Sequence, residues 1–324
     1  MERPIRWGVL GAARFAREHM APAIHAAEGA KLSALATLSP EKAAEFEAFC
    51  PDLRIHAGYD ELLADPEIDA VYVPLPNHLH VEWTLKALDA GKHVLTEKPM
   101  ALRADEFDQV IARRDETGLL AAEAYMIVHH PQWIRARELY QAGAIGRLAH
   151  VDGFFSYDNR SDPGNIRNRP ETGGGALPDI GVYTCGSARF VSGEEPEGII
   201  SADIRWENDV DVTSRVCARF PSFVFSAGVS MRLFPRQEMT FHGEKGVMRL
   251  VCPFNANVFG EARILLENAA MTVTAERFPA VNHYVRQVEN FGRAIRDGEP
   301  YPCSLEFSKG TQRMIDMIYD AAGR

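Results

Sequence analysis

Ile5-Arg-Trp-Gly-Val-Leu10, followed directly by Gly11-Ala-Ala-Arg-Phe-Ala16, is the stretch on which the fold of this chain turns. The first six residues form a short apolar run suited to a buried strand. A helical pattern from Phe15 to Glu28, closed by Gly29, follows at once. Gly11 permits the tight turn between them, and the helix start beyond it can receive a pyrophosphate. The middle position of the G-x-G-x-x-G/A pattern is Ala13 and the last is Ala16, so one methyl crowds a phosphate without forbidding its approach. A plain strand–turn–helix has the same local signature. The position at the first βα turn favours dinucleotide binding, with Gly11, Ala13, Arg14 and Phe15 at the cofactor.

Outward from this turn the alternation continues. Strands are predicted at Lys31–Thr37, Arg54–His56, Ala70–Val73, His93–Thr96 and Leu119–Ala124. Helices at Pro40–Phe49, Tyr59–Ala64, Leu79–Ala90 and Ala104–Thr117 separate them. Such a βαβ series is the signature of a parallel sheet with helices on its faces, a Rossmann-type domain over residues 1–124. After Pro131 the pattern changes. A helix near Gln132–Gln141 and a strand at Leu148–Tyr157 precede a Gly/Pro/Asn/Arg-rich stretch, Asp158 to Pro178, and then a helix to Phe190. Loops of that length inside a compact domain are usually functional. Seven alternating runs between Ile199 and Ala275 read as antiparallel strands, and two helices, Val281–Arg296 and Leu305–Ala321, close the chain. Residues 125–324 are therefore expected to form an α+β substrate-binding and oligomerisation domain.

The 324 residues suit two domains, with 46% hydrophobic and 25% charged residues in the ordinary globular range. Lys and Arg number 35 against 45 Asp and Glu, a net charge of −10. With no basic stripe, a nucleic-acid partner is not expected. No apolar stretch approaches the roughly 18 residues of a membrane span, and no signal-peptide core precedes Gly11. A soluble, cytoplasmic protein without a membrane partner is expected. The five cysteines are scattered and never spaced as C-x-x-C, so reduced thiols are expected. His78, His80, His129 and His130 lack a third ligand at metal-site spacing, and no metal is predicted.

Three further segments carry chemistry. Pro74-Leu-Pro-Asn-His-Leu-His80 follows the fourth strand, and its place at a carboxyl end directs it to the cofactor crevice. Pro74, Asn77 and His80 are expected there; the alternative is a proline-stiffened loop in which His78 and His80 cap the next helix. Glu97-Lys98-Pro99 follows the fifth strand. A lysine at that point can neutralise a developing oxyanion or shift a neighbour's pKa, and Pro99 fixes its backbone direction. Asp179 and Tyr183 stand four apart on a predicted helix, so both can point from one face. Gly173–Gly175 just before them lets backbone approach cofactor or ligand closely. Asn165 and Arg167, on the polar loop, are candidates for holding substrate hydroxyls.

These motifs together resemble the glucose–fructose oxidoreductase/inositol dehydrogenase (Gfo/Idh/MocA) family. The resemblance rests on Ile5–Ala16, Pro76-Asn-His-Leu-His80, Ala90-Gly-Lys-His-Val-Leu-Thr-Glu-Lys-Pro99, Asn165-Ile-Arg167 and Gly173-Gly-Gly-Ala-Leu-Pro-Asp-Ile-Gly-Val-Tyr183. It implies NAD(P)-dependent hydride transfer on a sugar, anhydro sugar or polyol. It also implies a second domain with an open, mostly antiparallel sheet, often used to build dimers or tetramers. Lys98 matches the family's catalytic lysine, and Asp179 the aspartate beside the substrate. Tyr183 falls where inositol-dehydrogenase-like members carry histidine, which points toward the glucose–fructose oxidoreductase, dihydrodiol dehydrogenase and xylose dehydrogenase branches. Ala124–Gln132 departs from a common version that places an arginine near Val128.

The expectation is thus an oxidoreductase in which Lys98, Asp179 and Tyr183 are catalytic and, with Asn165 and Arg167, hold substrate. Glu97 and Lys98 also border the cofactor. A non-catalytic redox sensor of the same fold is the alternative from another class, but it has no need of all three catalytic groups. A same-fold enzyme acting on a non-sugar ring such as a dihydrodiol is a further one. Strand two ends in Ala36-Thr-Leu-Ser39 without an acid, and Thr37, Ser39 and Lys42 can meet a 2′-phosphate, so NADP(H) is favoured with NAD(H) possible. Glu41 reads as a solvated first-turn acid favoured by the helix dipole. One sheet face, presenting Phe223, Phe225 and Val229 or their alternates, is expected to pack against a second subunit in a homodimer or homotetramer.

Overall fold

The computed structural model describes residues 3–324. Contacts gather them into two compact units. One holds the chain up to His129 together with Asn282–Ser308, and the other holds His130–Val281 with Lys309–Arg324.

In the first unit, strands β1 (Ile5–Leu10), β2 (Ala30–Ala36), β3 (Arg54–His56), β4 (Ala70–Val73), β5 (His93–Thr96) and β6 (Ala121–Glu123) form one parallel sheet in the order 3-2-1-4-5-6. The inner strands are continuous apolar runs because helices cover both faces. Val9, Leu10, Val71, Tyr72, Val73, Val94 and Leu95 are all fully buried. Order reverses beside β1, so the loops after β1, β4 and β5 leave the sheet at neighbouring points, where this topology takes its ligand.

The helix predicted from Phe15 is present with one irregularity. A π-type turn over Ala16–Met20 leads into α1, Ala21–Ala26. Helices α2 (Pro40–Glu47), α3 (Tyr59–Ala64), α4 (His80–Asp89) and α5 (Glu106–Thr117) complete the crossovers.

The helix expected near Val281–Arg296 within the second domain is His283–Asp297 and belongs to the first unit. Its apolar stripe packs on β1 and the first helix. Phe291 meets Trp7 with ring centroids 5.0 Å apart, and Tyr284 meets Phe15 and His19 at 5.6 and 5.4 Å.

The second unit carries eight strands: β7 (Leu148–Asp158), β8 (Gly198–Glu207), β9 (Val210–Arg219), β10 (Val224–Ser230), β11 (Arg232–Gly243), β12 (Gly246–Val251), β13 (Ala262–Asn268) and β14 (Val273–Phe278). Their order is 14-13-12-11-7-10-9-8. Every pairing is antiparallel except β7 with β10, which run parallel. Helices α6 (Pro131–Gln141) and α7 (Val182–Ser192) belong to this unit. The residues of α7 from Val182 to Val191 are buried, so this helix is core rather than surface.

Phe223, Phe225 and Val229, expected to face a second subunit, are buried inside the chain, and Phe225 packs edge-on against Phe220. Strand alternation puts Val224, Ser226 and Gly228 on the other face. Helix α8 is His283–Asp297, and α9 (Leu305–Ala321) crosses the unit boundary. Among the described residues, no helix is long and apolar enough to cross a membrane.

Candidate active site

In the first unit the turn after β1 is built around Gly11. Its φ is +97°, and a Cβ there would stand 3.1 Å from Leu75 Cδ2 and 3.2 Å from Tyr59 Oη. Only glycine takes this backbone without strain, as the sequence suggests. Ala13 O accepts from Arg17 N at 3.1 Å, so the amides ahead of Arg17 form the open end of a helix. An open helix end behind a small-residue turn fits a dinucleotide's phosphates. Arg14 is exposed, and Phe15 is half-buried against His19.

At the end of β2, Ser39 caps α2 and accepts from Lys42 N at 3.3 Å. Its hydroxyl donates to Glu41 Oε2 at 2.8 Å, and Glu41's own backbone amide, with that hydroxyl, holds the carboxyl below its usual range. Thr37 Oγ1 accepts from Ser39 N at 3.2 Å, leaving its own O–H to donate. The Lys42 side chain is exposed on the first turn.

The loops after β4 and β5 are tied together by His80. It is fully buried, with Nδ1 2.7 Å from Pro99 O and Nε2 2.7 Å from Leu75 O. This corrects its placement among direct cofactor contacts: with no exposed surface it acts through the two loops it joins. Pro74 is likewise buried, whereas Asn77 and Lys98 are partly open to solvent. Glu97 is held by Tyr72 Oη at 2.5 Å and receives Lys98 N at 3.3 Å. Its carboxylate therefore fixes the backbone from which the Lys98 side chain departs. The Lys98–Pro99 peptide is cis. Tyr284, which no local signal in the sequence marked, lies near this corner. Burial, with the Glu97 charge, pushes its phenol upward.

In the second unit Asp179 lies in a π-type turn, Leu177–Gly181, that runs into α7. Its two oxygens are held separately. Tyr157 Oη donates to Oδ2 at 2.6 Å, and Arg167 Nε lies 2.8 Å from Oδ1. Arg167 is thus drawn from the polar loop onto Asp179, and its guanidinium also feels Tyr157 and Tyr183. Burial and the Asp179 charge raise the Tyr157 phenol above its ordinary value. The Tyr183 ring rests against Phe155 and Phe254, with centroids 5.7 and 5.5 Å apart, and only 5% of the residue is exposed. Arg167 and Tyr157 thus meet on Asp179, and the charge on Arg167 also feels Tyr183; no signal in the sequence marks Tyr157.

Asn165 is turned into the loop: it caps the short 3₁₀ turn Ile166–Asn168 by accepting from Arg167 N at 3.1 Å, and it donates to Asp162. The glycines before α7 serve packing inside the chain. A Cβ on Gly174 would lie 2.5 Å from Arg167 O, and one on Gly175 would lie 2.1 Å from Asp211 Oδ1. No group of three or more His, Cys, Asp or Glu side chains able to hold a metal occurs among the described residues.

A 3-2-1-4-5-6 parallel sheet with a glycine-built first turn, followed by a sheet-rich second unit with an Arg–Asp–Tyr cluster, defines a two-domain NAD(P)-dependent oxidoreductase. The chain belongs to the Gfo/Idh/MocA family: residues 5–125 match the family's oxidoreductase model with an NAD-binding Rossmann fold, and residues 133–249 match its C-terminal domain. It is similar to an oxidoreductase of Rhizobium meliloti, 38% identical over 99% of this chain and 97% of the relative. It is similar also to D-xylose 1-dehydrogenase (NADP(+)) 2 of Haloferax volcanii, 31% identical over 98% and 97%. Among solved structures, the 3-ketoreductase KijD10 from Actinomadura kijaniata, in complex with NADP and TDP-benzene, superposes with a TM-score of 0.90 at 29% identity, covering 98% of each chain.

Proposed function

We propose that this enzyme moves a hydride between the nicotinamide of NADP(H) and a CH–OH or carbonyl carbon of a sugar or sugar derivative. The proton on the reacting oxygen is handled by Tyr183 and Lys98. The observation that carries the reading is the pairing of Arg167 and Tyr157 on the two oxygens of Asp179, four residues before Tyr183. Such a cluster offers fixed acceptors and donors to a polyhydroxylated ring: Asp179 and Tyr183 are buried, and the Arg167 side chain reaches solvent. The relatives support the substrate class, since they include a xylose dehydrogenase and a 3-ketoreductase.

The nicotinamide supplies the hydride acceptor in oxidation and the donor in reduction. In the reductive direction Tyr183 Oη donates its proton to the oxygen that becomes a hydroxyl, and in oxidation it takes that proton back. A tyrosine ordinarily titrates near pH 10, so a nearby cation such as a lysine ammonium is needed to favour its phenolate at neutral pH. Lys98 takes that part and also orients the reacting oxygen. Asp179, with Arg167 and Asn165, positions the remaining hydroxyls.

NADP(H) is the favoured cofactor. Glu41 is engaged by the Ser39 hydroxyl, and Thr37 keeps a free O–H for a 2′-phosphate. KijD10 was crystallised with NADP, and the Haloferax relative is named for NADP(+). Association through the C-terminal sheet into a dimer or tetramer belongs to the same proposal, and it is read from the sedimentation mass.

The test is nicotinamide absorbance with NADP(H) and NAD(H) against aldoses, polyols, anhydro sugars, ketoses and nucleotide-linked keto sugars. Turnover on at least one carbohydrate is expected, with a loss of orders of magnitude in Tyr183→Phe and in Lys98→Ala while NADP(H) still binds. Near-normal turnover by Tyr183→Phe would overturn the tyrosine's role.

A further inference from the structure

The turn that carries Asp179 begins without a local cap, because Ala176 has no side chain able to accept a hydrogen bond. The open amides of a helix start need acceptors, particularly when buried. They find one in Asp211, 34 residues further along, at the start of β9. Asp211 is 1% exposed. Its Oδ2 accepts from Leu177 N at 2.8 Å and from Ser214 Oγ at 3.4 Å, with the Ala176 amide adding to these. Its Oδ1 accepts from Tyr319 Oη at 2.8 Å, and the same oxygen packs on the backbone of Gly175. Gly175, at φ +143°, is therefore required by this carboxylate: any side chain there would displace it.

We infer that Asp211 is a positioning residue for the reaction, its carboxyl group fixing the turn that aims Asp179 and Tyr183, with Tyr319 holding that carboxyl in place. The inference rests on the reading of Tyr183 and Asp179 given above. Only Pro178 separates the braced Leu177 amide from Asp179, and the turn continues unbroken into α7. A shift of the brace is passed directly to both side chains, and displacements of about 1 Å in catalytic groups cost about 10²-fold in rate.

Burial pushes the Asp211 carboxyl up to about 7. The neutral acid keeps the brace by turning its O–H toward Tyr319 Oη, which then accepts. An asparagine can do likewise, its NH₂ donating to Tyr319 and its oxygen still accepting from Leu177 N. An alanine can do neither.

The experiment compares Asp211→Ala, Asp211→Asn, Tyr319→Phe and the pair Asp211→Asn/Tyr319→Phe, with Tyr183→Phe alongside, each corrected for the folded fraction by circular dichroism. Asp211→Ala is expected to lose at least tenfold in kcat with the KM for NADP(H) unchanged. Asp211→Asn should recover most of that loss, and recovery should vanish when Tyr319 is also phenylalanine. If Asp211→Ala does not fold, the asparagine variant with and without Tyr319 carries the test. The inference is overturned if Tyr183→Phe loses turnover while the Asp211 and Tyr319 variants keep kcat within twofold per folded molecule, or if the double variant is no worse than Asp211→Asn. Retained turnover in Tyr183→Phe takes down the functional reading and this inference with it.

Discussion

Arg167 Nε lies 2.8 Å from Asp179 Oδ1, so an arginine from the longest irregular segment of the chain is fixed on a carboxylate at the foot of α7. The arginine side chain is 38% exposed and the aspartate's 10%, so the pair has one face in solvent and one in the protein. The pair fixes geometry, and removing the arginine also takes a charged partner from a nearly buried carboxylate. Arg167→Ala should release Asp179 Oδ1 from the guanidinium while Tyr157 still donates to Oδ2, and lower kcat/KM for the carbohydrate by about 10²-fold with cofactor binding intact. Arg167→Lys should restore only part, because an ammonium cannot reproduce the planar fork. Steady-state kinetics on both substrates check this; a rise in the NADP(H) KM as large as the carbohydrate effect would refute it.

The His80 clamp gives a contrasting result. The neutral His80 ring donates one N–H, to Pro99 O or to Leu75 O, so removing it leaves one buried carbonyl without its donor, at a cost of about 1–3 kcal/mol. His80→Ala should lower the unfolding free energy extrapolated from urea denaturation by that amount or more. The loops after β4 and β5 should loosen, so the KM for NADP(H) should rise more than that for the carbohydrate. Unchanged stability would mean that the two loops hold each other without the ring.

Much of this was legible in the sequence for a physical reason. Strands buried on both faces must be continuous apolar runs, so Ile5–Leu10 and Ala70–Val73 announce a parallel sheet, and Gly11 announces the turn that follows. What escaped depends on contacts between residues far apart in the chain. The stripe of His283–Asp297 shows that one face is buried but not that its partner is Trp7 and Phe15. Tyr157 ends a strand like any other aromatic, and only the folded sheet brings it to Asp179. Gly174 and Gly175 read as making room for a ligand, whereas the chain's own carbonyls and Asp211 occupy that room. Phe223 and Phe225 alternate correctly for a sheet, but alternation does not say which face the same chain covers.

Cofactor preference is open to a single substitution. Thr37 ends β2 with its hydroxyl available, and Glu41 is occupied by Ser39. Thr37→Asp places a carboxylate at the strand end, where it binds ribose hydroxyls and repels a 2′-phosphate. The ratio of kcat/KM for NADP(H) to that for NAD(H) should fall by about tenfold or more, since one charge-assisted hydrogen bond is worth about 1.5–3 kcal/mol. A ratio that stays fixed would place the phosphate elsewhere.

Stability should depend on pH through buried groups whose shifts have opposite signs. Burial lowers His80 and His130 to about 4, and burial with the Arg293 charge lowers His129 to about 3. Between pH 5 and 6 these three are neutral in the folded chain and mostly protonated when unfolded, where histidine titrates near 6.5. Unfolding there takes up about three protons, so this contribution is complete above pH 6.5 and is lost as pH falls toward 4. Asp211 acts the other way. Raised to about 7 when folded, it is protonated in the native state and ionised in the unfolded chain, so unfolding releases one proton. These four groups alone give a net uptake of about two protons, so the unfolding free energy should rise with pH by at least about 2–3 kcal/mol per unit in this window, with His19 and His93, also lowered by burial, adding in the same direction. Urea denaturation at pH 5.0, 5.5 and 6.0 measures the slope. His130→Asn, which keeps the cap on Gln132 N, should flatten it by about one proton, and Asp211→Asn should steepen it by about one. A slope that neither variant moves would mean that other groups govern acid stability.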